Sequence, residues 1–173
     1  MLFAERWMVG ADRGISDQRA TREAAAEYEK WRQRGVGRRC FRRLGGKGVW
    51  LATPSGTCEG RPTRDRWVPG TLRAIAITDI NGSVMRNREY DAEFYPVVDS
   101  VRERWIAVMA QLLQGRELPA VRVIRIENGL YVNGGFEAIS VARMLGQTEV
   151  DAMIVDESGV DGYVERTEPV TVR

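Results

Sequence analysis

A pair of glycines between a short apolar segment and an amphipathic segment constrains this chain more than any other feature. The stretch 130–135 reads LYVNGG, and the stretch 136–146 has helical spacing and ends at Gly146, which can close a helix in the left-handed conformation. We predict a strand, a paired-glycine turn and a helix whose first amides point back at the turn. Such a joint can hold a phosphate group with backbone nitrogens alone. It therefore predicts a nucleotide or anion site.

The segments around the joint predict an α+β fold with a small mixed sheet. The residues 120–126 have strand composition, and 127–129 (Glu-Asn-Gly) predict a two-residue hairpin turn, because Asn and Gly tolerate positive φ. The residues 151–155 read as another buried strand. Upstream, 100–115 carries a capping box, an apolar stripe and a terminal glycine, which together predict a helix with Trp105 and Met109 in the core.

The joint resembles the corresponding region of the ParB/sulfiredoxin superfamily. The residues 139–146 (ISVARMLG) are similar to the Val-Ser-Val-Ala-Arg-x-Leu-Gly helix of ParB-like proteins, and the glycine pair is similar to the turn of the family. The next three positions depart from it. Phe136 stands where sulfiredoxins have their Cys, which removes their thiolate chemistry. Glu137 and Ala138 stand where His or Arg is expected, so a cationic phosphate contact is missing.

The resemblance covers about half of the chain, from near Ala74 to near Glu157. A compact member without the helix-turn-helix extension is similar to the plasmid-encoded fertility-inhibition proteins of the oncogenic-suppression type. The resemblance implies ATP hydrolysis and DNA cleavage directed at DNA that a competing conjugation system transfers, with a component of that conjugation or secretion system as a further partner.

The glycine turn and the resemblance together give the expected site residues. The expected nucleotide-binding residues are Gly134, Gly135, Phe136, Ser140, Arg86 and Arg88, with ATP as the nucleotide. Glu137 and Asn133 are the expected catalytic residues. Glu137 would hold Mg²⁺ through water or orient an attacking water, and Asn133 would assist as a neutral ligand. The alternative for Glu137 is structural, because the helix dipole alone favours an acid in a first turn. The alternative for Phe136 is packing.

The basic residues are concentrated in the N-terminal part of the chain. Residues 1–70 contain 15 Lys and Arg against 8 Asp and Glu (+7), which leaves 11 against 16 (−5) for residues 71–173. The expected DNA-binding residues are Arg34, Arg38, Arg39, Arg42, Arg43 and Lys47. Nearby aromatic side chains could stack on single-stranded bases, namely Trp31, Phe41 and Trp50. The alternative is that these arginines form a solvated face or pack against the acidic C-terminal half.

These patterns divide the chain into three regions. We predict a basic N-terminal extension over 1–70, a ParB/sulfiredoxin-like core over 71–157 and a polar tail over 158–173. The extension contains a helix over 17–34, with Ser16 as its cap and Gly35 as its stop. One stripe of this helix would dock on the core or on a partner, namely Ala20, Ala24, Tyr28 and Trp31.

The composition excludes several classes of enzyme and leaves two hypotheses. The chain has no His and only Cys40 and Cys58, which excludes Ser-His-Asp and Cys-His catalysis, His-metal nucleases and structural zinc. No apolar run is long enough to span a membrane, so we expect a cytoplasmic protein without membrane insertion. The first hypothesis is a Mg²⁺-dependent nucleotide hydrolase and DNase. The second is a non-catalytic nucleic-acid or protein binding module that blocks DNA transfer by surface interaction.

Overall fold

Five strands form one mixed sheet in the computed structural model, which describes residues 17–54 and 70–156. The strands are β1 (Thr71–Ala76), β2 (Ile80–Ser83), β3 (Val121–Ile126), β4 (Gly129–Gly134) and β5 (Glu149–Asp156). Their spatial order is β1-β5-β3-β4-β2. The β5/β3 and β4/β2 pairs are parallel, and the β1/β5 and β3/β4 pairs are antiparallel. The predicted α+β class with a small mixed sheet is therefore confirmed.

The strand directions bring the glycine pair to one edge of the sheet. Since β2 and β4 run opposite to β3, their carboxyl ends lie beside the amino end of β3. Gly134 pairs with Arg122 at this edge, and Ser83 pairs with Val132 one strand further out. The chain leaves β2 along β4, because the Val84 amide donates to the Val132 carbonyl at 3.0 Å.

Three α-helices among the described residues cover one side of the sheet. They are α1 (Asp17–Leu44), α2 (Arg102–Leu113) and α3 (Phe136–Met144). α3 packs on β3 and β5, α2 packs on α3, and α1 packs on α2. Alternate strand residues supply the other side of this core, among them Val121, Val123, Val132, Ala152 and Ile154. The predicted core positions of Trp105 and Met109 are confirmed, since both are fully buried.

The first helix confirms the predicted stripe and corrects the predicted stop. Its buried side carries the predicted residues Ala20, Ala24, Tyr28 and Trp31, followed by Gly35. The helix does not end at Gly35 but continues to Leu44. A Cβ on Gly35 would stand 2.6 Å from the Tyr95 Cβ. Gly35 therefore serves close packing inside the helix, and the same residue type that often ends a helix does not end this one.

Ser140 joins the three helices through its hydroxyl group. Its hydroxyl oxygen accepts hydrogen bonds from the indole N–H of Trp31 at 3.1 Å and of Trp105 at 3.0 Å. Ser140 is fully buried. The hydroxyl oxygen thus serves the packing of the core, and the role of Ser140 in nucleotide binding stays a prediction.

The helix ends and the hairpin follow local rules with two departures. Gly115 and Gly146 have positive φ, as predicted for helix exits. The capping box of α2 does not form, since the helix starts at Arg102 after a 3₁₀ turn and its N-cap makes no side-chain hydrogen bond. In the hairpin Ile126 pairs with Gly129, so the turn lies one residue earlier than predicted and Glu127 has the positive φ of 52°.

Several predictions fall on residues outside the described ranges. These are the Ser16 cap, the second cysteine, Cys58, and the tail over 158–173. Within the described ranges, no helix combines the length and the apolar character that a membrane crossing needs.

Candidate functional site

The glycine turn connects β4 to α3, and its second position requires glycine. Gly135 has φ +86°, and a Cβ there would stand 3.0 Å from the Val121 Cα. As the N-cap of α3 it offers no side chain to bond the first amides of the helix. The register shifts just before the turn, because Val123 pairs with Val132 whereas Arg122 pairs with Gly134. Such irregularities are enriched beside functional sites.

Arg122 brings a cation to the turn that the turn sequence lacks. A Cβ on Gly134 would stand 2.6 Å from a terminal nitrogen of Arg122 and 2.8 Å from its Nε. The guanidinium group therefore lies across the bare backbone of Gly134. Sequence reasoning assigned Arg122 only to a strand. The available signal was an arginine in a largely apolar strand. Which residue this arginine meets on the next strand depends on the register between the two strands.

Glu137 is held by Arg104, a residue of α2 that was not predicted to be in the site. The Arg104 Nε lies 3.0 Å from Glu137 Oε1, and its Nη2 lies 2.9 Å from Glu89 Oε2. Burial alone would lower the pKa of Arg104, but the hydrogen bond to Glu89 and the charge of Glu137 raise it. The first turn of α3 thus carries a carboxylate that is neutralised by a guanidinium from another helix.

The Tyr90 ring packs against Phe136, the first residue of α3. The two rings are stacked, with centroids 5.9 Å apart and planes 12° apart. Phe136 is buried, which favours the packing alternative over contact with a nucleotide. Among the described residues, the buried Tyr90 hydroxyl has no hydrogen-bond partner. Burial, and next the charge of Glu137, raise the pKa of Tyr90 well above its ordinary value.

The two predicted arginines upstream of the turn differ in their surroundings. Arg88 lies over the Trp50 ring, with its guanidinium carbon 4.6 Å from the ring centroid. Arg86 is exposed in the segment that leaves β2 beside β4. The structure therefore brings Asn133, the two glycines and Glu137 together around one turn. Arg86 is nearby in the topology, whereas the Arg88 guanidinium is engaged with an aromatic ring.

The described residues contain no group of three or more Cys, Asp or Glu arranged to hold a metal ion. A magnesium ion at Glu137 would take most of its ligands from water and phosphate oxygens, which is the usual way that Mg²⁺ binds in nucleotide sites.

The basic segment of α1 is divided between an inner and an outer side. On the inner side, Arg39 pairs with Asp91 at 3.2 Å and Arg42 pairs with Glu93 at 3.0 Å. The Arg42 guanidinium also donates to the Gly48 carbonyl. Arg39 and Arg42 therefore make intramolecular contacts with the acidic C-terminal half, as in the alternative interpretation of the basic residues. The other four predicted DNA-binding residues are exposed, namely Arg34, Arg38, Arg43 and Lys47, and the Arg38 Nε lies 4.0 Å from Glu93 Oε2.

Asp91 is the anchor of the inner side. It is 1% exposed, and its Oδ1 accepts hydrogen bonds from the backbone amides of Glu93 and Tyr95. Burial raises the pKa of Asp91, although the two amides and Arg39 act in the opposite direction. The second half of α1 is therefore attached through a buried carboxylate.

The aromatic residues expected to stack on bases are also divided. Trp31 is buried and bonded to Ser140, and Trp50 is covered by Arg88. Phe41 is 77% exposed on the outer side of α1. Trp31 therefore cannot stack on a base in this arrangement, whereas Phe41 is accessible.

Comparison of the chain with protein-family models, with curated proteins and with solved structures finds no match in any of the three. The α+β class and the geometry of the glycine turn are established by the structure, and relation to the ParB/sulfiredoxin superfamily stays a prediction from the sequence.

Proposed function

We propose that this protein is a divergent ParB/sulfiredoxin-type protein that binds the phosphates of ATP at the glycine turn and acts on DNA. The observation that carries the proposal is the Arg122 guanidinium lying against Gly134 at the amino end of α3. It supports a phosphate site because the turn sequence itself has lost the His or Arg that the resemblance leads one to expect. A cation from the neighbouring strand fills that role.

The surroundings of the turn suit a phosphate group in three respects. The first amides of α3 follow an N-cap that has no side chain, and the helix dipole favours negative charge at this end. The Arg122 guanidinium lies beside Gly134, where β4 enters the turn. The Arg104 guanidinium lies beside Glu137 in the first turn of α3. Guanidinium groups bind phosphate oxygens with paired hydrogen bonds.

Glu137 is the residue we propose for catalysis. In the present arrangement Arg104 pairs with Glu137 and with Glu89. A phosphate that binds Arg104 would compete with both carboxylates, which would release Glu137 to accept a proton from an attacking water. ATP supplies the phosphoryl group, and Mg²⁺ would add charge compensation. Asn133, one residue before the glycine pair, would assist as a neutral ligand.

The proposed contact with DNA uses the outer cations of α1. Arg38 and Arg43 are exposed on the helix and Lys47 is exposed just after its end, and such a group neutralises phosphates without reading sequence. We therefore propose single-stranded or non-specific DNA as the partner. Inhibition of conjugative transfer by a competing plasmid is the biological role that the resemblance suggests.

The test compares two arginines of the same strand. Arg122 lies at the turn, whereas Arg125 lies towards the other end of β3, 3.8 Å from Asp156. We expect Arg122→Ala to weaken ATP binding about tenfold or more, as measured by calorimetry, because loss of a charge-assisted contact costs about 1.5–3 kcal/mol. Arg125→Ala should leave it unchanged. Equal affinities of the two variants, or no heat with ATP, would overturn the proposal.

A second variant separates binding from chemistry. We expect Glu137→Gln to keep ATP affinity and to lose ATP turnover and cleavage of single-stranded DNA. Turnover that survives this substitution would place the chemistry on other residues.

A second candidate function is a non-catalytic binding module. The pairing of Glu137 with Arg104 favours it, because the ion pair occupies the carboxylate that would have to contact the attacking water. Binding of ATP by the wild type without any turnover would support this candidate. Turnover that depends on Glu137 would exclude it.

A further inference from the structure

The outer side of the second half of α1 carries a continuous apolar strip. Val36, Phe41 and Leu44 are 53%, 77% and 86% exposed, and the Cys40 thiol between them is exposed as well. The helix cannot turn this strip inwards, because Arg39 and Arg42 fix its opposite side to Asp91 and Glu93. Adjacent exposed apolar side chains on a fixed helix are typical of an interaction surface.

The centre of the strip has the shape that receives a side chain from another helix. Gly37, Cys40, Phe41 and Leu44 stand at positions i, i+3, i+4 and i+7. Four residues at this spacing form the hole into which one side chain of a facing helix inserts. A Cβ built on Gly37 meets no described atom within 4 Å, apart from the near neighbours in its own helix. One of the four corners of the hole is thus bare backbone, which permits close approach.

The two glycines of α1 differ in what they gain from lacking a side chain. A glycine inside a helix is less favourable than alanine at the same position. At Gly35 the close contact with Tyr95 explains the residue. At Gly37 no contact within the described part of the chain does so. Close approach of a partner to the backbone at Gly37 would explain why this position is a glycine.

The charges around the strip select the kind of partner. Residues 34–47 contain six cations, at 34, 38, 39, 42, 43 and 47, and no Asp or Glu. Three of them already face carboxylates, namely Arg38, Arg39 and Arg42, and of these three Arg38 is the exposed one. The outer cations flank the apolar strip. In a dimer formed through this strip, the cations of one copy would face the cations of the other. A nucleic-acid phosphate backbone would not bury the aliphatic side chains of Val36 and Leu44.

We propose that this strip is a docking surface for an amphipathic helix of a partner protein whose apolar stripe is flanked by Asp and Glu. The apolar stripe packs into the hole around Gly37, and the acidic flanks pair with Arg38, Arg43 and Lys47. The surface does not depend on the proposed nucleotide site, but it shares Arg38, Arg43 and Lys47 with the proposed DNA contact, so the partner helix and DNA would compete for these cations.

The probe for this surface is a pair of labelled synthetic helices of about three heptads each, with Leu at the two apolar positions of each heptad. One carries Glu at the flanking positions and the other carries Lys. We expect the Glu helix to bind the full chain in a fluorescence anisotropy titration, and the Lys helix to bind at least about tenfold more weakly. Added salt should narrow this difference. No binding of the Glu helix, or equal binding of the two, would overturn the proposal.

A substitution that fills the hole gives the sharpest test. Gly37→Leu places a side chain in open space and improves helix propensity, so the fold should stay intact by circular dichroism and thermal unfolding. We expect it to weaken the Glu helix about tenfold or more. The matched control is Ala26→Leu, which adds the same side chain at an exposed position in the first half of α1 and should leave binding unchanged.

Other outcomes would reject the partner helix in favour of another occupant. Single-stranded DNA or vesicles with anionic lipid that bind through Phe41, while the Glu helix does not bind, would assign the strip to nucleic acid or membrane. A dimer in analytical ultracentrifugation that Gly37→Leu dissociates would assign it to a second copy. Arg122→Ala should leave binding of the Glu helix intact, so failure of the nucleotide site and failure of this surface are distinguishable.

Discussion

The two halves of α1 are held to the rest of the molecule by different interactions. The first half (17–31) is attached mainly by apolar burial, with Tyr28 edge-on to Trp105 and the ring centroids of Trp31 and Tyr95 4.1 Å apart, and its ion pair between Glu29 and Arg102 is partly exposed. The second half is attached by ion pairs to Asp91 and Glu93, and it turns its apolar residues outwards. The comparison shows that one continuous helix can serve the core with one half and present a surface with the other.

The largest expected effect contrasts one aromatic residue from each half. Trp31→Ala should lower the free energy of unfolding by about 3–5 kcal/mol, because it empties a packed site and removes a donor to Ser140. Phe41→Ala should change it by less than about 0.5 kcal/mol, since exposed side chains contribute little. Urea denaturation measures both. Similar losses for the two variants would abolish the distinction between the halves.

The contribution of the buried Asp91 carboxylate to stability should depend on pH in an unusual direction. Arg39→Met should destabilise the fold by about 2–3 kcal/mol at neutral pH, because it leaves the buried Asp91 carboxylate without its cation. Burial already holds the pKa of Asp91 above its ordinary 3.8, and loss of Arg39 raises it further.

The sign of the pH effect follows from that raised pKa. The folded state binds the Asp91 proton more tightly than the unfolded state, so this contribution favours folding below pH 3.8 and is lost as pH rises through the raised value. The loss caused by Arg39→Met should therefore shrink on acidification. Arg43→Met, at an exposed position of the same helix, is the control and should show no such trend. A loss that grows in acid would contradict the assignment.

Tyr90 tests the packing beside these ion pairs. Tyr90→Phe should stabilise the protein by about 1–2 kcal/mol at neutral pH, because it removes a buried hydroxyl that has no partner among the described residues. Burial raises the pKa of Tyr90 above its ordinary 10.0, so the wild type should lose stability above pH 10.0 faster than the variant. Denaturation across the alkaline range checks both. A destabilised variant would mean that the hydroxyl has a partner.

The smallest effects distinguish the two helical glycines. Gly37→Ala should stabilise the fold by about 0.5–1 kcal/mol, because the position is open and alanine restricts the unfolded chain. Gly35→Ala should destabilise it by about 1 kcal/mol, because the new Cβ meets Tyr95. Thermal unfolding of the two variants shows whether the signs differ. Equal signs would remove the structural difference on which the docking surface depends.

The features that the sequence predicted well are local ones. The strand, glycine pair and helix around Gly135 follow from a few adjacent residues, and so do the helix exits at Gly115 and Gly146. The stripe of α1 was also readable, because helical spacing alone defines it.

The features that were missed depend on contacts between distant parts of the chain. Gly35 was taken as a stop because its neighbour Tyr95 lies sixty residues later. The two indole donors to Ser140 were not foreseen, because they come from other helices. Arg104 and Arg122 reach the turn only through helix packing and strand register, so a pattern along the sequence gave no sign of them.

Tyr90 and Asp91 are neighbours in the chain but face different sites. Tyr90 stacks on the first residue of α3, and Asp91 receives Arg39 from α1. A ligand at the glycine turn that displaced Tyr90 would also move Asp91, to which α1 is attached. Conversely, a partner that moved α1 would disturb the turn through the same two residues. Thermodynamic linkage makes such communication reciprocal, so each ligand would alter the affinity for the other by the same factor.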